Sequence, residues 1–348
     1  MDLMRTAART LLDPNSDMLA KLSTAHLAMF HFQIFLTYVY FMATSIRLIA
    51  VLKEWNQVVI YLINICNPKH QALARMLMRE LITPIILFTV GIIESVFYDV
   101  NFFDRGHFSG KPLLEKYFYK SSQFLSNYIP YHPIFAVLFI TLEKSGILAW
   151  SYGDIFLIFL CRLCTKQLHE LDQYLREKVE GAVVCSDDGK FDWERIRVLF
   201  IRASNSLQKV ANYVAPLAFL CYSYNTFELI VDVFYVLSGN IPLDSLAGTY
   251  LSILQLTLRI SLVTYHVADM HHSFRSVADV LTECPSSFYD LSAQRLEKFL
   301  DTKQFGVHLC GTILITRKFF ISIISFIFTT EIILLQSLAV KTSNGNSG

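Results

Sequence analysis

The last apolar segment of the chain carries a few polar side chains that could do chemistry inside a membrane. If the segment is helical, each residue advances about 100° around the axis. Ser322, Ser325, Thr329 and Gln336 then share one narrow stripe, and Glu331 points to the opposite side. A polar stripe on a membrane helix faces water or another helix. The stripe therefore predicts either the wall of an aqueous pore or a packing surface, on which hydroxyls bond their own backbone and Gln336 bonds a neighbouring helix.

Glu331 is expected to face the helix bundle behind that stripe. An unpaired charge at the membrane centre costs several kcal/mol, so a partner for it is expected. Arg259, which interrupts an apolar run in the fifth segment, is one candidate partner. The two intramembrane charges would form either a structural ion pair or part of a gating device.

Two other groups have the composition of metal or redox sites. The first consists of histidines beside an aspartate at a predicted cytoplasmic helix end: His266, His271, His272 and Asp269. Histidines next to a membrane are usually solvated, which favours no metal here. Cys161 and Cys164 have C-x-x-C spacing without a second pair, which favours small packing residues on one helix. With no catalytic constellation either, we expect no metal, no cofactor and no enzyme activity.

Composition places these residues in a membrane protein. The chain has 348 residues, of which 53% are hydrophobic and 17% charged, whereas a soluble domain is usually about 25% charged. A net charge of +1 gives no reason to expect a nucleic-acid partner, and seven scattered cysteines form no visible disulfide framework. The sequence therefore predicts a polytopic membrane protein with lipid as its surroundings.

The elements that must position the polar residues are six apolar segments, each long enough to cross a bilayer as a helix. They lie at about 24–52, 81–103, 129–163, 212–238, 245–268 and 307–340. Lysines and arginines concentrate in the connections 53–79, 166–210 and 269–306, which predicts that these are cytoplasmic. Both ends of the chain then lie outside.

The cytoplasmic connection after the third segment is expected to be helical. Apolar residues recur at helical spacing in 166–180 and again in 193–209. We expect the third and fourth spans to continue into the cytosol as amphipathic helices that pack on each other. Leu171 and Leu175 are predicted to help hold subunits together.

Several short stretches match a recognisable receptor pattern. Residues 329–337 read Thr-Thr-Glu-Ile-Ile-Leu-Leu-Gln-Ser, and residues 148–154 read Leu-Ala-Trp-Ser-Tyr-Gly-Asp. The first stretch resembles the terminal signature of the insect gustatory receptor family, which is Thr-Tyr, five mostly hydrophobic residues and Gln-Phe. The second resembles a motif of that family's sugar-receptor branch. Further matches are Gly311, Thr316, Arg317, Tyr224, Asn225, Arg259, Trp193 and Arg197.

The sequence departs from the family pattern in three ways. Thr330 stands where the family has Tyr, and Ser337 stands where it has Phe. The family has seven spans and a cytoplasmic N-terminus, whereas six segments are visible here. The first segment is similar to the family's second helix, so we expect this chain to lack the first span.

The resemblance implies an all-α, polytopic transmembrane helix bundle of the gustatory and odorant receptor type. It implies a subunit of a non-selective cation channel opened by sugars, in the plasma membrane of sensory neurons. Homotetramers, or heterotetramers with other gustatory receptor subunits, are expected. The ligand-pocket bundle would occupy 24–268, with cytoplasmic extensions at about 164–211. A linker and pore-lining last helix would occupy 269–340, and 341–348 would be a flexible tail.

The resemblance also implies functional residues. The pore would be lined by Ser325, Thr329, Ile333, Gln336 and Ser337. A sugar site needs planar polar groups for hydroxyl pairs and an aromatic face for the ring's C–H surface. The candidates near the outer halves of the spans are Glu94, His132, Trp150, Asp154, Tyr224, Asn225, Glu228, Tyr250 and Gln255. Trp150 and Asp154 are four residues apart and share a helix face.

Two other protein classes remain open at this point. A G-protein-coupled receptor would also be polytopic, but no Asp/Glu-Arg-Tyr triplet ends a span and no Asn-Pro-x-x-Tyr lies in the last one. A secondary transporter for a small polar ligand would be expected to show an internal repeat or a pair of broken helices, and neither is visible.

Overall fold

The structure, a computed structural model, describes residues 18–66, 82, 85–86, 89–93, 112–121, 130–184, 192–239, 243–283 and 289–345. Its helices, in chain order, are α1 (Met18–Cys66), α2 (Leu113–Ser121), α3 (Pro133–Val184), α4 (Trp193–Leu237), α5 (Leu243–Thr282), α6 (Leu291–Thr302) and α7 (Arg317–Gly345). Residues 82, 85–86 and 89–93 are also helical. The remainder of the second predicted segment, 81–103, lies outside the described residues.

Within these ranges, five helices are long and apolar enough to cross a membrane. Their outward faces form a belt of exposed apolar side chains, including Met42 and Ile46 on α1, Ile134 on α3, Leu254 on α5 and Phe328 on α7. Such a continuous apolar surface would be unstable in water and is matched by lipid. The prediction of a polytopic helical membrane protein is confirmed.

Helices α3 and α4 continue well beyond one bilayer thickness, as their sequences predicted. Helix α3 has 52 residues and α4 has 45, against about 20 needed for a span. Asp192 caps α4 by accepting a bond from the amide of Arg195 at 3.0 Å. The apolar faces of both extensions pack in one core together with α5 and α6.

This core corrects the expectation for the cytoplasmic leucines. Leu171 is 4% exposed and Leu175 is 2% exposed within the single chain. Both belong to the same core as Phe274 and Phe305, whose rings stack with centroids 4.4 Å apart. Because their faces are already covered, these leucines are not free to bind a second copy. Amphipathic periodicity identifies a face that must be buried but not the chain that buries it.

The last predicted segment, 307–340, contains a hairpin before its helix. Strand β1 (His308–Leu309) pairs antiparallel with β2 (Ile313–Leu314), with His308 opposite Leu314. The turn places Cys310 at φ 50° and Gly311 at φ 74°, a left-handed conformation that favours glycine. The helix therefore begins only at Arg317.

At its other end, α7 continues to Gly345. Residues 341–345, predicted as part of a flexible tail, are thus helical. Adding residues to an existing helix is far easier than starting a new one, which explains the extension.

Candidate functional site

A buried polar cluster lies where α3, α4 and α5 meet. Trp150 and Asp154 reach it from α3, Asn225 from α4 and Arg259 from α5. Asp154, Asn225 and Arg259 are only 1–2% exposed. The spacing of four residues puts Trp150 and Asp154 on the same side of α3, so that both contact Asn225 and Arg259.

The cluster is closed by a ring of contacts. The indole Nε1 of Trp150 donates to Asn225 Oδ1 at 2.9 Å, and Asn225 Nδ2 lies 3.3 and 3.4 Å from the two carboxylate oxygens of Asp154. Arg259 completes the ring with one guanidinium nitrogen 3.3 Å from Asp154 Oδ2. Its other terminal nitrogen donates to Ser151 Oγ at 2.9 Å.

These contacts explain how two charges persist inside an apolar bundle. Desolvation of a carboxylate or guanidinium costs several kcal/mol unless charge and hydrogen-bond partners replace water. Here Asp154 has a cation and an amide, and Arg259 has a carboxylate and a hydroxyl. The guanidinium carbon also lies 4.2 Å from the centre of the Trp150 ring, which adds a cation–π contact.

Gln255, one turn before Arg259 on α5, is the unsatisfied member of this region. Its side chain is buried at 3% exposure, yet neither its amide oxygen nor its nitrogen has a hydrogen-bond partner among the described residues. Gly91 covers it closely, because a Cβ at that position would lie 3.3 Å from Gln255 Nε2 and 2.7 Å from Arg259. A buried amide without partners is rare and provides hydrogen-bonding capacity for a small polar ligand.

Further polar and aromatic groups continue from the cluster along α4. Tyr224 packs edge-on against Trp150 with ring centroids 5.1 Å apart. One turn later, Glu228 Oε2 lies 2.8 Å from His26 Nε2 of α1. Another turn on, Asp232 accepts a bond from Ser252 at 2.6 Å. One side of α4 therefore presents polar groups over two turns, in the half of the helix predicted to be outermost.

The structure brings together most, but not all, of the predicted ligand residues. Trp150, Asp154, Tyr224, Asn225 and Gln255 surround Arg259, and Glu228 lies one turn beyond them, as described above. Tyr250 is instead 51% exposed on the outer side of α5. His132 is exposed at the start of α3, where its Nδ1 accepts from the amide of Ile134. Glu94 lies outside the described residues.

Three contacts at the cluster were not expected from the sequence. Arg259 pairs with Asp154 and not with Glu331, which was its candidate partner. Ser151 and His26 were not singled out at all. The position of Ser151, three residues before Asp154, was an available signal, because residues three apart share a helix face. The pairing of Arg259 could not be predicted from the sequence, because residue spacing identifies a face of α5 but not the helix that packs against it.

The last helix places Glu331 and Gln336 on opposite sides. Glu331 is 3% exposed and faces the bundle, and neither carboxylate oxygen is hydrogen-bonded to a described residue. Ile333 is 58% exposed, and Gln336 is exposed on the same side. Thr329 and Ser337 donate to carbonyls one turn earlier, at 2.8 and 2.9 Å. In the single chain, this leaves a long uncovered face with Gln336 as its free amide.

The histidine group does not converge on a common point. His271 Nδ1 lies 2.7 Å from the carbonyl of Phe305, and Asp269 pairs with Arg317 at 3.3 Å. Across the described ranges, no set of three or more His, Cys, Asp or Glu side chains could hold a metal ion.

The sequence as a whole matches known receptors. A family model described as trehalose receptor matches residues 16–346. The "Gustatory receptor for sugar taste 64a" of Drosophila melanogaster is 22% identical over 226 residues. That alignment covers 65% of this chain and 48% of the relative, so the matched part spans about half of the relative's length.

Solved structures match nearly the whole chain. The insect olfactory receptor OR5 from Machilis hrabei aligns over 96% of this chain and 86% of its own, with a TM-score of 0.62 and 12% identity. The same receptor in complex with eugenol aligns over 96% and 87%, with a TM-score of 0.65 and 13% identity. This likeness establishes the fold as an all-α transmembrane bundle of the insect chemoreceptor type.

Proposed function

Because this chain belongs to the trehalose receptor family of insect gustatory receptors, we propose that it is a subunit of a cation channel opened by a sugar. The family is one of receptors and not of enzymes, and the family together with five apolar helices supports a multi-pass membrane protein. The observation that carries the proposal is the buried cluster around Arg259, with the unpaired amide of Gln255 beside it.

The cluster has the chemistry that a sugar requires. Adjacent hydroxyls of a pyranose match planar donor and acceptor groups, which Asp154, Asn225 and Gln255 supply. The C–H face of the sugar ring packs on aromatic surface, which Trp150 and Tyr224 supply. Gln255 would gain its missing hydrogen bonds from the ligand, which favours polar over apolar occupants of the site.

The exposed face of α7 supports the channel part of the proposal. A surface with Ser325, Thr329, Ile333, Gln336 and Ser337 on or beside one stripe would surround a shared axis if four copies assembled. Gln336 would then form a ring of amides at the narrow outer part of the pore. Ser337, in place of the family's Phe, would make that constriction wider and better hydrated.

The assembly and its location follow from the same proposal. Four subunits, either identical or from related gustatory receptors, would bring four copies of α7 together. Such a receptor would act in the plasma membrane of sensory neurons, where an opened cation pore depolarises the cell.

Patch-clamp recording tests this function directly. The chain is expressed in cells without endogenous taste receptors, and excised patches are held in solutions free of nucleotides. A panel of sugars that includes trehalose is applied to the outer face, with mannitol at equal osmolarity as the control. Unitary cation currents that appear with one sugar and not with mannitol are the expected result.

Two outcomes would replace the proposal. Responses seen only in intact cells and abolished by G-protein inhibitors would indicate a coupled receptor. Saturable sugar uptake without unitary currents would indicate a transporter.

A further inference from the structure

A polar cavity lies nearer the other end of α4 from the Arg259 cluster. It has a volume of about 620 Å³ and is open to solvent between α1, α4 and the segment after α6. Three of its lining side chains are cationic: Arg202, Lys209 and Lys303. One is anionic, Glu54, and it is paired with Lys209 at 2.6 Å. Its size falls in the range of ligand sites, which is about 300–1,000 Å³.

Neither of the two remaining cations of the cavity has a carboxylate partner in the part of the chain that the structure describes. Arg202 is exposed and forms no ion pair with the described residues. Lys303 donates only to neutral oxygens, to Ser204 Oγ at 3.1 Å and to Asn205 Oδ1 at 2.8 Å. Burial lowers the pKa of the Lys303 ammonium, because loss of hydration disfavours its charged form. The cavity therefore has an unmet preference for an anion.

The wall behind Lys303 is firmly held in place. Gln208 donates to the carbonyl of Gly306 at 3.0 Å and accepts from the amide of the same residue at 3.2 Å. This two-way bond fixes the segment after α6 to α4. The cations are thus presented by ordered backbone on both sides of the cavity.

The cavity lies at the edge of the apolar belt. On α1 the most exposed apolar side chains, Met42, Ile46 and Ile49, precede Glu54, and Ile60 beyond it is only 49% exposed. On α4 the cavity residues end at Asn212, before the exposed apolar Phe219. This is the side where α3 and α4 extend beyond the membrane, and positive charge in the connections predicts that it is cytoplasmic. Headgroups of the inner leaflet would be at this level.

We propose that this cavity binds a phosphorylated polyol, and that its source is the headgroup of an anionic phosphoinositide lipid in the inner leaflet. Phosphate oxygens would pair with Arg202 and Lys303, and the polyol hydroxyls would bond Asn205 and Gln208. Basic pockets between helices at the cytoplasmic face favour such headgroups. A bound headgroup would join α4 to Lys303, fourteen residues before the start of α7. This inference is independent of the sugar and depends only on the cavity and its position.

The detergent-solubilised full chain is titrated with dioctanoyl phosphatidylinositol bisphosphate, and thermal stabilisation is followed by tryptophan fluorescence. Dioctanoyl phosphatidylcholine tests the acyl chains alone, and soluble inositol trisphosphate tests the headgroup alone. Arg202→Gln and Lys303→Gln should each raise the half-maximal lipid concentration about fivefold. Lys303→Arg, which keeps the charge, should stay near the parent value. Arg195→Gln removes an exposed charge of α4 outside the cavity and should change nothing.

Each of these titrations either supports or overturns the proposal. Tighter binding of the bisphosphate lipid than of inositol trisphosphate supports the membrane source, whereas equal binding supports the cavity and overturns that source. Equal stabilisation by phosphatidylcholine overturns the proposal. The proposal is also overturned if the half-maximal lipid concentration of both Gln variants equals that of the parent chain.

Discussion

The guanidinium group of Arg259 lies over the indole ring of Trp150, with 4.2 Å between the guanidinium carbon and the ring centre. The same arginine holds Asp154, and the same tryptophan holds Asn225. The guanidinium therefore covers one face of the indole, and the Nε1–H on the ring's edge donates a hydrogen bond to Asn225. The same side chains are proposed to bind the ligand and also stabilise the fold, so the substitutions must be chosen to separate these two roles.

Removing Asp154 alone should prevent folding, whereas removing the whole ion pair should not. Asp154→Ala leaves Arg259 buried and unpaired, at a cost of about 3–5 kcal/mol. We expect little receptor at the cell surface. The double variant Asp154→Leu, Arg259→Met replaces the pair by apolar groups and should restore surface expression without sugar response. Surface biotinylation measures the first effect and patch-clamp recording the second.

The exposed pair Lys209 and Glu54 provides the matched control. Glu54→Ala should change stability by no more than about 1 kcal/mol, because water screens exposed ion pairs. A normal surface level of Asp154→Ala would show that the buried pair does not stabilise the fold.

Trp150→Phe should weaken the sugar response without altering the pore. The change keeps an aromatic ring but removes the donor to Asn225, a bond of about 0.5–1.5 kcal/mol. The half-maximal sugar concentration should rise roughly threefold to tenfold. Single-channel conductance should be unchanged. The control is Trp55→Phe, which removes an indole donor to Gln167 near the other end of the bundle. Equal shifts in both variants would remove Trp150 from the ligand site.

Gln255→Leu should stabilise the protein while abolishing its ligand response. Across the described ranges the buried amide has no partner, and an unpaired polar group costs about 1–3 kcal/mol. Leucine has a similar size and no such cost. The melting temperature in detergent should rise. Gln167→Leu is the contrast, because it breaks the bond from Trp55 and should lower the melting temperature. A sugar response that survives Gln255→Leu would show that the amide does not contact the ligand.

Gln336 should be accessible from the pore, and Glu331 should not. Gln336 is exposed on α7, whereas Glu331 is 3% exposed on the opposite side. Charged thiol reagents applied from outside should modify Gln336→Cys, faster when sugar is present. Glu331→Cys should stay inert, and Glu331→Gln should change expression more than cation selectivity.

The parent chain is the control for this labelling experiment. Its exposed Cys310 lies in the hairpin before α7, on the side predicted to be cytoplasmic. Reagents applied from outside should therefore leave it unmodified. Altered selectivity in Glu331→Gln, together with an unreactive Gln336→Cys, would mean that α7 faces the axis with its other side.

Leu171→Glu should prevent folding of the single chain rather than only its assembly. The leucine is 4% exposed in the core, and burying a carboxylate there costs several kcal/mol. The melting transition and the surface signal should both be lost. His169→Glu, at an exposed position of the same helix, should be tolerated. A well-folded monomeric Leu171→Glu protein would instead place this face between subunits.

The sequence alone determined the features that depend on a single helix. Apolar length predicted the long α3 and α4, because a helix that exceeds the bilayer must continue outside it. Helical periodicity predicted the shared face of Trp150 and Asp154 and the opposite sides of Gln336 and Glu331, because a rotation of about 100° per residue is independent of context. Only the tertiary structure decided which faces meet. It paired Arg259 with Asp154, covered Leu171 within its own chain, left Tyr250 outside the cluster and left Gln255 without a hydrogen-bond partner among the described residues. Periodicity states which side of a helix must be buried, but the neighbour that buries it depends on contacts between residues about 70–110 positions apart, and no local pattern encodes them.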